Sequence, residues 1–176
     1  MKLVVGLGNP LDKYKYTRHN AGYIVIDNYC KSNQIKLNLN KKLNSFLSIQ
    51  KDAIFCKPNV YMNESGISVL QVAKYYNIKY TDILIVHDDL DLDFGQIKFS
   101  CSRGPAGHNG VKDIINRLGT KDFCRVRIGI GKPTNNTPIE NYVLQNFTNT
   151  ELDIINKINL NEYLLLHNNK ILENKN

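Results

Sequence analysis

The run Ile83-Leu84-Ile85-Val86 has no polar side, and it narrows the architecture more than any other feature. Successive side chains of a strand point to opposite faces, so four apolar residues in a row demand apolar cover above and below. Around this run, strand-like and helix-like patterns alternate. Strand patterns cover Lys2–Gly6, Ser45–Gln50, Ala53–Lys57, Asp82–Val86, Gly95–Ser100 and Cys124–Ile130. Helical spacing covers Gly22–Asn33 and Ser65–Tyr76, and recurs at Val111, Ile114, Ile115 and Leu118. A longer amphipathic tail runs from Glu151 to Leu172, with a break expected near Asn159–Asn161. This alternation predicts an α/β chain: one three-layer domain over residues 1–176, with a twisted, largely parallel sheet flanked by helices. The adjacent runs 45–50 and 53–57 read as a hairpin, so the sheet is expected to be mixed.

Four cysteines, Cys30, Cys56, Cys101 and Cys124, are irregularly spaced with no C-x-x-C pair. That pattern argues against a metal knuckle and against a disulfide scaffold, and it fits a reducing, cytoplasmic setting. No apolar run is long enough to span a membrane, and a strand beginning at Lys2 leaves no room for a signal peptide. The net charge of +7 is unevenly spread. Residues 98 to 132 carry 8 basic side chains against 2 acidic ones. Positive charge gathered in this way is what a phosphate backbone attracts, although a lysine-rich chain can simply have a basic surface.

In open α/β sheets, chemistry sits beyond the carboxyl ends of the strands, and four unusual clusters fall at such ends or at helix starts. One is Asn9 through Asn20, which follows the first strand. It opens as Gly6-Leu7-Gly8 but has Leu11 where a dinucleotide fingerprint needs glycine. The second is His87-Asp88-Asp89-Leu90-Asp91, the third Gly107-His108-Asn109-Gly110, and the fourth Tyr61-Met62-Asn63. Each also has a plain explanation. Asn20, Asn63 and Asn109 stand where helix N-caps stand. His19 alone reads as a structural histidine, and the aspartate cluster reads as a solvated loop or an exposed strand edge. A metal cage there would need several oxygen ligands around one ion.

Taken together the clusters say more. A carboxylate beside a histidine fixes its tautomer and stabilises the imidazolium, so the ring can take a proton from water. Carboxamides can grip a carbonyl and stabilise a developing oxyanion without adding net charge. No G-x-S-x-G elbow is present. The residues therefore read as a water-activating hydrolase without a metal, suited to an ester.

The blocks "VVGLGNP", "YKYTRHNAGYIVID", "KPNVYMNESG", "VHDDLDLDFGQIKF", "GPAGHNGVKDII" and "RVRIGIGKP", in that order, closely resemble those of bacterial-type peptidyl-tRNA hydrolases. The resemblance covers nearly the whole chain. It implies that the chain cleaves the ester joining an N-blocked peptide to the 3′ end of tRNA, as a monomer in the cytoplasm, with no cofactor and no metal. It implies His19 as general base, Asp88 as the acid that orients it, and Asn9 as the residue that distinguishes a blocked from a free amino group. Asn63 and Asn109 would place the peptide backbone and the tRNA end, and Tyr14 and Tyr61 would contact substrate by stacking. Lys98 and Arg127 would hold phosphate. A lysine usual in the family is replaced by Ser100, with Arg103 as a possible substitute for its charge, and Pro105 stiffens the loop before His108. Two rivals remain at this stage: a non-catalytic RNA-binding relative of the splicing-factor type, and a hydrolase of small esters.

Overall fold

The structure, a computed structural model, describes residues 1–175. Its sheet has the strands β1 (Lys2–Gly6), β2 (Asn38–Asn40), β3 (Ser45–Ile49), β4 (Ala53–Pro58), β5 (Ile83–Asp89), β6 (Ile97–Cys101) and β7 (Cys124–Gly129), in the order β2-β3-β4-β1-β5-β7-β6. The central strands β4, β1, β5 and β7 are parallel. Both margins are antiparallel: β2 with β3, β3 with β4, and β6 with β7. The mixed, largely parallel sheet and the hairpin are as expected. The edge strand β2 was not read from the sequence, because its Asn-Leu-Asn has neither β-branched residues nor a buried face.

The helices are α1 (Ala21–Ser32), α2 (Ser65–Tyr75), α3 (Asn109–Leu118), the single turn α4 (Ile139–Tyr142), α5 (Asn149–Asn156) and α6 (Leu160–Glu173). They cover the sheet on both sides. Val4 of β1 and Leu84 and Val86 of β5 pack with Ile24, Val25, Ile155, Leu160 and Leu164 on the side of α1, α5 and α6. Their neighbours Leu3, Val5, Ile83 and Ile85 pack with Val69, Val72, Val111 and Ile114 on the side of α2 and α3. The period of two is thus expressed as two separate cores, and every side chain from Ile83 to Val86 is fully buried. Each such side chain contributes on the order of 2 kcal/mol relative to exposure. The long tail helix is two helices. Lys157 ends α5, and the Asn159 side chain, accepting from Asn161 N–H, starts α6 at the expected break.

Two strand ends decide where the site lies. β5 runs three residues past Val86, so His87, Asp88 and Asp89 are buried strand residues. This corrects the reading of the aspartate cluster as a solvated loop; only Asp91 and Asp93 are exposed. The second correction concerns cysteine. Cys101 and Cys124 face each other across β6 and β7 and are joined by a disulfide. A separation of 23 residues carries no hint of it, because the pairing is created by strand register. Cys30 and Cys56 are free and buried.

Candidate active site

The carboxyl ends of β1 and β5, the residues before α1 and the start of α3 meet at one edge of the sheet. His19 sits in a short 3-10 turn just ahead of α1, and its backbone N–H is anchored to the Val143 carbonyl at 2.8 Å. Asp88 lies near the end of β5. The His19 Nδ1–H donates to Asp88 Oδ2 at 2.9 Å, with Oδ1 at 3.1 Å. The carboxylate thereby fixes the tautomer, leaving Nε2 as the ring nitrogen without a protein partner among the described residues. Burial opposes a charge on the His19 ring, but the Asp88 carboxylate outweighs it, so the pKa rises above the ordinary histidine value. For Asp88, burial works to raise the pKa, and the two imidazoles beside it more than reverse that, holding it well below the usual carboxylate range.

The second imidazole is His108, whose partnership with Asp88 was not read from the sequence. Its Nδ1 accepts from Val111 N–H at 3.3 Å, which makes His108 the N-cap of α3. Its Nε2 therefore carries the hydrogen and donates it to Asp88 Oδ1 at 2.9 Å. The rings of His19 and His108 lie 4.9 Å apart, centre to centre. The only available signal was that His108 immediately precedes Asn109. His19, Asp88 and His108 bring possible metal-ligating atoms within 4.8 Å of one another. The cap, however, commits His108 Nδ1 as an acceptor and so takes the lone pair away from Nε2. This donor set suits a hydrogen-bond relay better than an ion.

Asn9, Tyr14, His19, Tyr61, Met62, Asn63, Asn109 and Leu144 line an open cleft of about 420 Å³. Every residue expected to touch peptide or terminal nucleotide is therefore in one place. Asn63 and Asn109 are exposed, and Tyr61 is 51% exposed. The capping explanation of the asparagines fails. Asn20 makes no side-chain cap bond, Asn63 lies within a 3-10 turn, and Asn109 is the first residue of α3 behind its cap His108. Behind His19 a second, smaller cavity of about 150 Å³ lies between Pro105–Asn109 and Ile139–Val143. Its roof was also not foreseen. The segment around α4 is pinned by Arg18, which stacks over Tyr142 at 4.4 Å and reaches Glu151 at 3.4 Å.

The two expected phosphate ligands are cross-strand neighbours on β6 and β7 but differ in state. Lys98 is exposed. Arg127 is buried, and its Nε donates to Asp89 Oδ2 at 2.7 Å. Two register positions along, on the same face, Ser100 faces Arg125. Arg125 is itself buried, with Nη2 donating to the Gly104 carbonyl at 2.8 Å. Burial and the nearby Arg127 charge lower the Arg125 pKa to about 10. Arg103 is exposed on the loop just beyond.

The model of the family described as "Peptidyl-tRNA hydrolase" matches residues 3–170. The chain belongs to the peptidyl-tRNA hydrolase family. It is 46% identical to the peptidyl-tRNA hydrolase of Aliarcobacter butzleri over 158 residues, covering 90% of this chain and 86% of the relative. It is 45% identical to that of Rickettsia canadensis, covering 100% and 98%. Among solved structures, it is similar to peptidyl-tRNA hydrolase from Acinetobacter baumannii, with a TM-score of 0.84 and 31% identity over 97% of this chain and 94% of that one. A family member of this architecture thus carries the His19–Asp88 pair at the mouth of a carboxamide-lined cleft.

Proposed function

We propose that this chain hydrolyses the ester between a peptide and the 3′ end of tRNA, with His19 as general base and Asp88 as its positioning acid. Membership of the family supports the reaction. The observation that carries the roles is the His19 Nδ1–Asp88 contact at 2.9 Å, which turns the unpartnered Nε2 into the base. Nε2 takes a proton from a water, and the resulting hydroxide attacks the ester carbonyl carbon. The tetrahedral oxyanion collapses with cleavage of the acyl–oxygen bond, and the imidazolium returns its proton to the departing ribose oxygen. Asp88 offsets the positive charge that develops on His19 between these two transfers.

The carboxamides of Asn9, Asn63 and Asn109 supply neutral donors and acceptors along the cleft. They hold the peptide backbone and the tRNA end without competing for the proton. Tyr14 and Tyr61 offer faces for stacking. Lys98 meets the phosphate backbone, and Arg127, turned into Asp89, contributes to the field of that surface instead of a free donor fork. The assembled base and cleft favour catalysis over the non-catalytic RNA-binding reading. The test is hydrolysis of an N-acetyl-aminoacyl-tRNA beside the unblocked aminoacyl-tRNA and a small ester. We expect cleavage of the first alone, lost by about a hundredfold or more in His19→Ala. Full activity in that variant would remove His19 from the role.

A further inference from the structure

Asn9 reaches the cleft with its polarity already decided. Its Oδ1 accepts from Met62 N–H at 2.8 Å. A backbone N–H can only donate, so the orientation of the carboxamide is unambiguous. The end left for the cleft is the NH2 group. The backbone of Asn9 is held as firmly. Its N–H donates to Asn20 Oδ1 at 2.9 Å, and Asn20 Nδ2 donates back to the Asn9 carbonyl at 2.9 Å.

The two bonds close a ring between one side-chain amide and the backbone N–H and C=O of a single residue, and both residues are buried, Asn9 at 6% and Asn20 at 1% exposure. Only a carboxamide offers one donor and one acceptor in this geometry, which explains an asparagine that caps nothing. Room for it comes from Gly8. A Cβ there would stand 3.0 Å from Asn20 Cγ and closer still to the Tyr23 ring.

We infer that Asn20 is a positioning residue which, with Met62 N–H, presents Asn9 to substrate as a hydrogen-bond donor only, and that this polarity selects an acylated α-nitrogen. The inference rests on the proposed role of Asn9. A blocked substrate brings the acyl carbonyl oxygen, an acceptor that matches the Asn9 NH2. A free aminoacyl group brings an ammonium, which has donors and positive charge but no acceptor. Two donors facing each other leave both unpaired. The discrimination therefore lies in the direction of one carboxamide, and Asn20 keeps the backbone beneath it from turning.

The experiment compares kcat and KM for N-acetyl-aminoacyl-tRNA and for the free aminoacyl-tRNA in the wild type, Asn20→Asp, Asn20→Ala, Asn9→Asp and Asn9→Ala. Asn20→Asp replaces the Nδ2 donor with an oxygen that repels the Asn9 carbonyl, and Asn20→Ala removes both bonds without adding charge. Both are expected to raise KM for the blocked substrate about tenfold and to shrink its preference over the free one by a similar factor. The pH profile of kcat stays that of the wild type. Asn9→Asp keeps the Met62 bond but turns a carboxylate to the cleft, and is expected to lose the blocked substrate while easing the penalty on the free one. An unchanged preference in both Asn20 variants, with wild-type circular dichroism, overturns the inference. So does a shifted pH profile, which would mean that Asn20 acts through its neighbour His19. If Asn20→Asp does not fold, Asn20→Ala carries the test. An unchanged preference in Asn9→Ala would instead sink the reading of Asn9 itself.

Discussion

His108 donates its Nε2–H to the same Asp88 carboxylate that receives the His19 Nδ1–H, each at 2.9 Å. A donor on the far oxygen draws charge from the carboxylate and so moderates the basicity of His19. His108→Ala should therefore move the acidic limb of the kcat profile to higher pH, because Asp88 then faces His19 alone. We expect a loss of rate of about tenfold at pH 7, partly recovered at pH 8.5. An unmoved limb would show that Asp88 does not transmit the second histidine.

The sign reverses for Asp88→Asn. The carboxylate is what lifts the His19 pKa above its ordinary value, while burial pushes the other way. Without the charge, burial remains, and the acidic limb should fall below about pH 6.5. The rate should drop by about a hundredfold, since the imidazolium formed during attack has lost its counter-charge. A rate–pH series on the variant checks both effects together.

His167 of α6 gives the fold an acid-sensitive point far from the cleft. It is fully buried, and burial together with the Lys2 charge lowers its pKa to about 4. An unfolded histidine takes up its proton near pH 6.5. Between these values the unfolded chain binds the extra proton, so stability from this group is intact above pH 6.5 and falls as the pH drops toward 4. The loss is on the order of 3 kcal/mol. In His167→Leu, the decline of urea midpoints between pH 7 and 4.5 should be shallower than in the wild type.

Reducing the Cys101–Cys124 disulfide should lower the stability of the protein. Closing a loop of this length restricts the unfolded chain by about 3 kcal/mol. A dithiol reductant should lower the melting temperature of the wild type by several degrees and leave a Cys101→Ala/Cys124→Ala variant unmoved. An equal response in both would mean that the bond does not form in solution.

Lys98 and Arg103 are exposed cations beside the buried arginines of β7. Lys98→Ala should raise KM for tRNA substrates several-fold, leave kcat alone, and lower the salt slope by about one. Arg103→Ala should do the same if that side chain compensates for Ser100. An unchanged KM and salt slope would reject this compensation.

Much of this was legible because the decisive patterns are local. The apolar run 83–86 required a doubly covered sheet, and the strand-end clusters pointed to a shared edge. What escaped were facts of register and direction. Strand β5 continues through His87 to Asp89 because neighbouring β7 pairs with it to Gly129, which the charged letters disguise. The Cys101–Cys124 bond depends on how β6 aligns with β7. Asn20 looked like a cap because position alone cannot say which backbone unit an amide will face. His108 passed as one letter of a motif, although its two nitrogens join a helix start to Asp88.

Gly22 explains why His19 and Asp88 can be so well aligned. Any Cβ at this position would overlap the Val86 carbonyl and the Leu7 backbone, so the first turn of α1 lies directly on the main chain of β5 and of the segment after β1. Gly22 is three residues beyond His19, and Val86 is two before Asp88. The separation between His19 and Asp88 is thus gauged by main chain resting on main chain, and a single methyl group at residue 22 would misalign it from behind.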